Sequence, residues 1–163
     1  MRILGVDPAL SITGYGVIDF NKNKIVLLEA GVIKTSTKDP LAVRLKDIYR
    51  GVNSLILDTK PEVMVLEKIF AHYHHPTTSY LLGHARGVIC LTSAEAGIPL
   101  IEYGATRIKK AIVGQGLASK NQVQRMIMDM LSLREAPKYT DVTDALALAI
   151  AHSNIMKFSL VGK

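Results

Sequence analysis

The sequence is poor in two features that mark specialised classes of protein, cysteine and long hydrophobic runs. Cys90 is the only cysteine, which excludes an internal disulfide and a zinc site built from cysteines. It lies in an apolar helical stretch, where a role in the core is the ordinary interpretation. No apolar run approaches the roughly 20 residues that cross a membrane, and residues 1–5 resemble a strand rather than a signal peptide. We therefore expect a cytoplasmic protein without a membrane segment.

The sequence also lacks internal repeats, low-complexity tracts and linkers. Its 163 residues suit one domain of ordinary size, so we expect residues 1–163 to form a single domain. Lysine and arginine number 20 against 14 aspartates and glutamates, which gives a formal net charge of +6. This balance favours an acidic partner, with nucleic acid the first candidate, although many basic proteins bind no DNA.

The pattern of apolar residues predicts strands early in the chain and helices late. Runs at 3–6, 14–20 and 25–34 form a three-stranded meander, whose second turn is "NKNK". Asp39 and Pro40 are typical of a helix N-cap and first helical residue. The other predicted elements are five helices and strands at 62–67 and 98–103. The first helix ends near 59–61, and the others span 76–96, 105–113, 119–131 and 140–155. The helix at 119–131 begins with a capping box of Ser119 and Gln122. This order predicts an α/β fold with a mixed five-stranded sheet flanked by helices.

Four acidic residues stand where a generic surface charge is poorly placed. Asp7 in "GVDPALSITGYGVIDF" and Glu67 in "EVMVLE" each end an apolar strand, where burying an unpaired charge is costly. Asp141 and Asp144 in "YTDVTDALALAIAH" lie three residues apart and so share one helix face. If that helix crosses the strand ends, four carboxylates converge and require a cation. Hard oxygen ligands suit Mg²⁺ or Mn²⁺, and two such ions about 3.5–4 Å apart cleave phosphodiesters.

Each acid also has a structural interpretation. Asp7 before proline is compatible with a turn residue or cap, and Glu67 with the partner of a buried lysine or arginine. Asp141 and Asp144 suit the positive end of a helix capped by Thr140. The combination favours a shared site, because four caps have no need to share a surface.

Five segments in this order resemble the RuvC family of Holliday-junction resolvases: "LGVDPALSITGYGVI", "VLEKIF", "LGHARG", "YGATRIKKAIVGQGLASKNQVQ" and "TDVTDALALAIAH". The resemblance runs from Arg2 to about Asn154 and implies a ribonuclease-H-like fold. It implies paired symmetric nicks in four-way DNA junctions during recombination and repair, which leave 5′-phosphate and 3′-hydroxyl ends. The acids that it implies as catalytic and metal-binding are Asp7, Glu67, Asp141 and Asp144.

The same resemblance implies cofactors and partners. Two Mg²⁺ ions per site are expected, with Mn²⁺ as a possible substitute. The protein is expected to form a homodimer through the helix at 76–96, although the apolar positions of that helix also suit ordinary core contacts. A branch-migration complex of the RuvAB type is a suggested further partner.

Basic and aromatic residues are candidates for DNA contacts. The glycines of "GQGLASK" permit close backbone approach, and the helix that follows offers amide donors to phosphate. The resemblance matches Lys109 and Lys120 to lysines important for junction cleavage, and Phe70 to a loop aromatic that stacks on bases. A solvated lysine and a buried loop anchor are the alternatives. The predicted DNA-binding residues are Phe70, Arg107, Lys109, Lys110 and Lys120.

Two places depart from the family pattern. Many members have glycine where this chain has Ala9, and alanine is strained there if the position requires positive φ. The loop "AHYHHPTT" carries His72, His74 and His75. A solvated or phosphate-contacting loop is favoured over a zinc site, because no other soft ligand is near in sequence.

Three other functions remain compatible with parts of the sequence. A sugar-kinase or actin-like ATPase begins with a similar strand, acid and glycine-containing turn, but it needs two such domains and at least twice this length. A related ribonuclease-H-like nuclease acting on RNA or another nucleic acid would keep the acids. A non-catalytic junction-binding module would use them structurally.

Overall fold

The computed structural model describes residues 1–68 and 76–161. Five strands in this part of the chain form one sheet in the order β3-β2-β1-β4-β5. Strand β1 pairs antiparallel with β2 and parallel with β4, so the sheet is mixed, as predicted. The elements are β1 Arg2–Asp7, β2 Ile12–Asn21, β3 Lys24–Lys34, α1 Leu41–Thr59, β4 Val63–Glu67, α2 Pro76–Glu95, β5 Leu100–Tyr103, α3 Ala105–Val113, α4 Lys120–Leu131 and α5 Thr140–Val161.

The sheet separates two apolar cores. Ile3 and Val65 belong to the core shared with α3, α4 and α5, whereas Leu4 and Met64 belong to the core shared with α1 and α2. Successive side chains of a strand point to opposite faces, so residues an even number apart share a face. Asp7, four residues after Ile3, and Glu67, two residues after Val65, therefore face the same side as those residues. The alternation therefore directs the side chains at positions 7 and 67 toward the α5 side.

Helix α5 lies directly on β1 and β2 because two strand positions lack a Cβ atom. A Cβ at Gly5 would stand 2.0 Å from the carbonyl oxygen of Ala145, and one at Gly14 would stand 2.1 Å from that of Asp141. Gly14 is also the cross-strand partner of Asp7. The glycines therefore allow the first turn of α5 to reach the end of β1.

The helix ends follow the predictions with two differences. Ser119 and Gln122 form the predicted capping box at the start of α4. The N-cap prediction for α1 is wrong by one residue: Pro40 is the N-cap and Leu41 the first helical residue. Proline fixes φ but leaves ψ free, and ψ of Pro40 is extended at 148°. Helix α5 continues past residue 155 to Val161.

The "NKNK" hairpin is also formed as predicted. Lys22 and Asn23 both have positive φ, at 46° and 65°, and the flanking Asn21 and Lys24 are paired. Two central residues of this kind match the twist of the two strands. Within the described ranges, no helix has both the length and the apolar character needed to cross a membrane.

Candidate active site

The predicted acids approach one another at one edge of the sheet. Asp7 and Glu67 end β1 and β4, which are parallel neighbours paired as far as Gly5 and Val65. Each acid therefore lies two residues beyond the last pair. With Asp144 of α5, they line a cleft of about 220 Å³.

Asp141 lies beside this cleft rather than in its lining. Its main chain and Cβ face Gly14, the cross-strand partner of Asp7. Asp141 also raises the pKa of Asp7 through charge repulsion. The structure thus brings all four acids into one electrostatic neighbourhood, with three of them in the wall of the cleft.

Hydrogen bonds hold the turn that follows Asp7. Thr13 Oγ1 donates to the Ala9 carbonyl at 2.6 Å, and Arg44 Nη2 on α1 donates to Ser11 Oγ at 2.9 Å. Ala9 itself does not have positive φ. Alanine is therefore unstrained at this position, and the turn does not depend on glycine there.

Burial and like charges raise the pKa of both strand-end acids. The pKa of Asp7 rises from an ordinary value of 3.8 to about 7, first through burial and then through repulsion by Asp144, Asp141 and Glu67, while Lys120 lowers it. Partial burial, then Asp144, also raises the pKa of Glu67, and Lys120 is the first of the cations that oppose the rise. A bound cation would relieve this repulsion.

Two of the predicted DNA-binding lysines also line the cleft and form its basic wall. Lys109 on α3 and Lys120 at the start of α4 both line it. Lys120 Nζ donates to Asp144 Oδ2 at 3.3 Å. With 81% of the Lys120 side chain exposed, this ion pair contributes little to stability. It leaves the ammonium group available to a phosphate.

Two of the other predicted DNA contacts, Arg107 and Lys110, are not among the described residues that line the cleft. Arg107 places its guanidinium 5.0 Å from the centre of the Tyr103 ring. The predicted residues that lie outside the described part of the chain are Phe70, His72, His74 and His75.

Thr143 is a lining residue that the sequence reading missed. It lies between Asp141 and Asp144, is 6% exposed and lines the cleft. Within the ranges described, its Oγ1 is buried and has no hydrogen-bond partner. Leaving such a hydroxyl unpaired costs about 1–3 kcal/mol. The sequence signal was a polar residue directly beside Asp144 in the first turn and a half of α5.

The donor atoms of the cleft fit a hard divalent cation. In residues 1–68 and 76–161, no three His, Cys, Asp or Glu side chains are gathered closely enough to hold an ion by themselves. Mg²⁺ does not require such a group, because it commonly binds one or two carboxylates and completes its shell with water and substrate phosphate. The carboxylates and the unpaired Thr143 hydroxyl supply only oxygen donors.

Comparison with known proteins identifies the family. The sequence profile described as crossover junction endodeoxyribonuclease RuvC matches residues 3–152. The chain belongs to the RuvC family. It is 44% identical over 148 residues to RuvC of Rhodopirellula baltica, an alignment covering 91% of this chain and 83% of that one. Identity to RuvC of Alkaliphilus metalliredigens is 40% over 163 residues, covering 100% and 99%.

Solved structures agree with this assignment. The structure of T. thermophilus RuvC in complex with Holliday junction substrate matches with a TM-score of 0.92 at 32% identity, covering 98% of this chain and 96% of that one. The yeast mitochondrial Holliday junction resolvase Ydc2 matches with a TM-score of 0.67 at 14% identity, which shows the fold alone. The predicted ribonuclease-H-like fold and RuvC family are confirmed.

The family assignment also decides the enzyme class. RuvC proteins are metal-dependent crossover junction endodeoxyribonucleases. The alternatives of a nuclease acting on RNA and of a non-catalytic binding module are not favoured.

Proposed function

We propose that this protein resolves four-way (Holliday) DNA junctions by paired symmetric nicks in recombination and repair, leaving 5′-phosphate and 3′-hydroxyl ends. The observation that carries the proposal is the cleft itself. Asp7, Glu67 and Asp144 come from three separate segments of a RuvC-family chain and line one cleft together with Lys109 and Lys120. We treat residues 1–163 as a single nuclease domain that acts in the cytoplasm.

The proposed metal ligands are the four acids, with two Mg²⁺ ions per site and Mn²⁺ as a substitute. Bound metal would supply activation of the attacking water and neutralisation of the charge that develops on the phosphate. Burial, together with charge repulsion from the other acids, raises the pKa of Asp7 to about 7 and supports this assignment. Asp7 would release its carboxyl proton as it becomes a ligand. The remaining proposed ligands are Glu67, Asp141 and Asp144.

The lysines would hold the DNA backbone against this acidic wall. Lys120 would exchange its weak, exposed pairing with Asp144 for a phosphate oxygen, and Lys109 would contact a phosphate beside it. Thr143 would use its free hydroxyl for a polar group of the bound substrate or its hydration shell. Arg107 and Lys110 would contact DNA outside the cleft, and the prediction for Phe70 is a stacking contact with bases.

A homodimer would place two such sites on one nearly two-fold symmetric substrate. Helix α2 supports this proposal because it presents an exposed apolar face: Tyr80 is 60% and Leu91 54% exposed. A Cβ added at Gly83 or Gly87 would meet nothing within 4 Å, so another helix can approach closely there. Light scattering at micromolar concentration tests this part, and a monomer mass would contradict it. A branch-migration complex of the RuvAB type is the proposed further partner.

Strand-resolved nick mapping tests the proposed reaction. A synthetic mobile junction is incubated with the protein and Mg²⁺, and each strand carries its own end label. We expect nicks at symmetric positions in two opposed strands, with ends that ligase seals directly. A linear duplex and an RNA–DNA hybrid of the same sequence serve as controls. Equal cleavage of the hybrid or duplex, or no nick in any strand, would contradict junction resolution.

A further inference from the structure

Arg86 joins helix α2 to the ends of two neighbouring strands. Its Nη1 donates to the main-chain carbonyl of Glu67 at 2.8 Å, and its Nη2 donates to the carboxylate of Glu102 on β5. Only 13% of the Arg86 side chain is exposed. The adjacent Ala85 and the residue one turn later, Ile89, are fully buried. The guanidinium therefore extends from a fixed part of the helix.

The contact lies where the regular strand pairing runs out. Pairing between β1 and β4 ends at Gly5 and Val65, whereas pairing between β4 and β5 continues to Glu67 and Tyr103. Glu67 is thus a strand-end residue supported by only one neighbouring strand. Arg86 supplies an additional hydrogen bond to the carbonyl group of Glu67. Glu67 is also one of the acids that line the cleft.

A guanidinium suits this position better than an ammonium group. Its planar fork directs two separate N–H groups at two acceptors at once, whereas a lysine offers a compact point charge on a flexible stem. The ion pair with Glu102 holds the plane of the fork, so the second N–H stays directed at the Glu67 carbonyl. Glu102 is 43% exposed and does not line the cleft.

From this arrangement we infer that Arg86 is a positioning residue for the active site: by holding the Glu67 carbonyl, it fixes the direction in which the Glu67 carboxylate enters the cleft. The inference rests on the proposed function, because it assigns a metal-binding role to Glu67. It extends that function to a residue of α2 that does not line the cleft. Support groups of this kind typically alter metal affinity or activity 10–100-fold when removed.

The test compares Arg86→Lys and Arg86→Ala with wild type in three assays. Mn²⁺ binding without DNA is measured by the electron paramagnetic resonance signal of the free ion. Single-turnover cleavage is measured across a series of Mg²⁺ concentrations, and junction binding is measured in EDTA. Glu102→Gln keeps an acceptor but removes its charge, and Arg50→Lys on the exposed side of α1 is the matched control. Thermal unfolding of every variant reports whether it is folded.

We expect both Arg86 variants to bind Mn²⁺ about tenfold more weakly or worse. They should need correspondingly more Mg²⁺ for half-maximal cleavage, with junction binding within about twofold of wild type. Glu102→Gln should shift both metal curves less, and Arg50→Lys not at all. Unchanged metal curves in folded Arg86→Lys and Glu102→Gln would overturn the inference, even if thermal stability falls. If the metal curves of the variants stay unchanged while wild type binds Mn²⁺ and nicks junctions, only the inference about Arg86 fails and the proposed function stands. If wild type neither binds Mn²⁺ nor nicks junctions, the inference and the proposed function both fail.

Discussion

The acids of the cleft stand on strand ends and on the helix packed against the sheet, whereas its lysines stand on α3 and at the start of α4. Asp7 and Glu67 end central strands, and α5 reaches them because Gly5 and Gly14 admit its backbone. Lys120, in contrast, leaves 81% of its side chain in solvent. The difference indicates two roles. The fold holds like charges together where chemistry requires them, and it leaves the exposed Lys120 free to adjust to DNA.

The largest effect should come from removing one charge of the acidic wall. We expect Asp7→Asn to reduce single-turnover junction cleavage by more than the roughly 100-fold that loss of an outer-shell group causes. Junction binding in EDTA should stay within about twofold, because the lysines are untouched. Asp58→Asn on the exposed side of α1 is the matched control. Loss of folding and binding together would argue for a structural Asp7.

The same acid should make metal-free stability depend on pH. The folded pKa of Asp7, about 7, lies above its ordinary value of 3.8, so the folded state binds the proton more tightly. Stability should therefore fall as pH rises from about 4 to 7 and stay low above that. The shift corresponds to roughly 4 kcal/mol. The difference in unfolding free energy between wild type and Asp7→Asn, measured by urea titration at several pH values, isolates this group. A difference that does not change with pH would contradict the raised pKa of Asp7.

A smaller effect should follow from pushing α5 off the sheet. In Gly14→Ala the new Cβ would stand 2.1 Å from the Asp141 carbonyl oxygen, so the first turn of α5 must move. We expect a loss of about 1–3 kcal/mol in unfolding free energy, as for other overpacked sites, together with slower cleavage. Ala42→Ser, at an exposed position of α1, is the stability control. If Gly14→Ala cleaves at the wild-type rate, the position of the first turn of α5 does not control cleavage, and this prediction is contradicted.

The basic wall should respond through binding rather than chemistry. Lys109→Ala and Lys120→Ala should each make the slope of log affinity against log salt shallower by about 0.9, the value expected for one lost phosphate contact. Fluorescence anisotropy with a labelled junction in EDTA measures the slope. Lys46→Ala on α1 should leave it unchanged. If Lys109→Ala and Lys120→Ala both keep the wild-type slope, these lysines do not contact DNA phosphates.

The smallest effect is expected at Thr143, where stability should rise while cleavage slows. Thr143→Val keeps the shape of the side chain but removes a buried hydroxyl that has no partner among the described residues. The metal-free protein should gain up to about 1 kcal/mol of stability, while cleavage should slow because the hydroxyl is lost to the substrate. A variant that is less stable, or that cleaves at the wild-type rate, would contradict this role.

Local patterns were enough to predict the acidic wall. The strand-end positions of Asp7 and Glu67 and the three-residue spacing of Asp141 and Asp144 are short-range signals, so they single out these acids without knowledge of the fold. The family resemblance then joined the segments. The resemblance also singled out Lys109 and Lys120, and both line the cleft.

Features that depend on distant contacts were missed or misjudged. Arg86 meets a carbonyl 19 residues away, and main-chain acceptors leave no trace in a side-chain pattern. The unpaired state of Thr143 depends on everything packed around it. Arg107 was grouped with the cleft lysines by proximity in sequence, although its position on α3 directs it over Tyr103 instead. A local prediction was also wrong: Asp39 is not the N-cap of α1, because the proline ring fixes φ of Pro40 but leaves its ψ free.

Thermal unfolding with and without Mg²⁺ tests most directly whether the acidic wall is a cation site. A ligand that binds only the folded state raises its stability with concentration. Wild type should therefore gain stability from millimolar Mg²⁺ at pH 8, where Asp7 is ionised, and much less at pH 5, where it holds its proton. Asp7→Asn should gain far less than wild type at pH 8. Equal gains in both proteins at both pH values, or no gain in either, would contradict a metal site at Asp7.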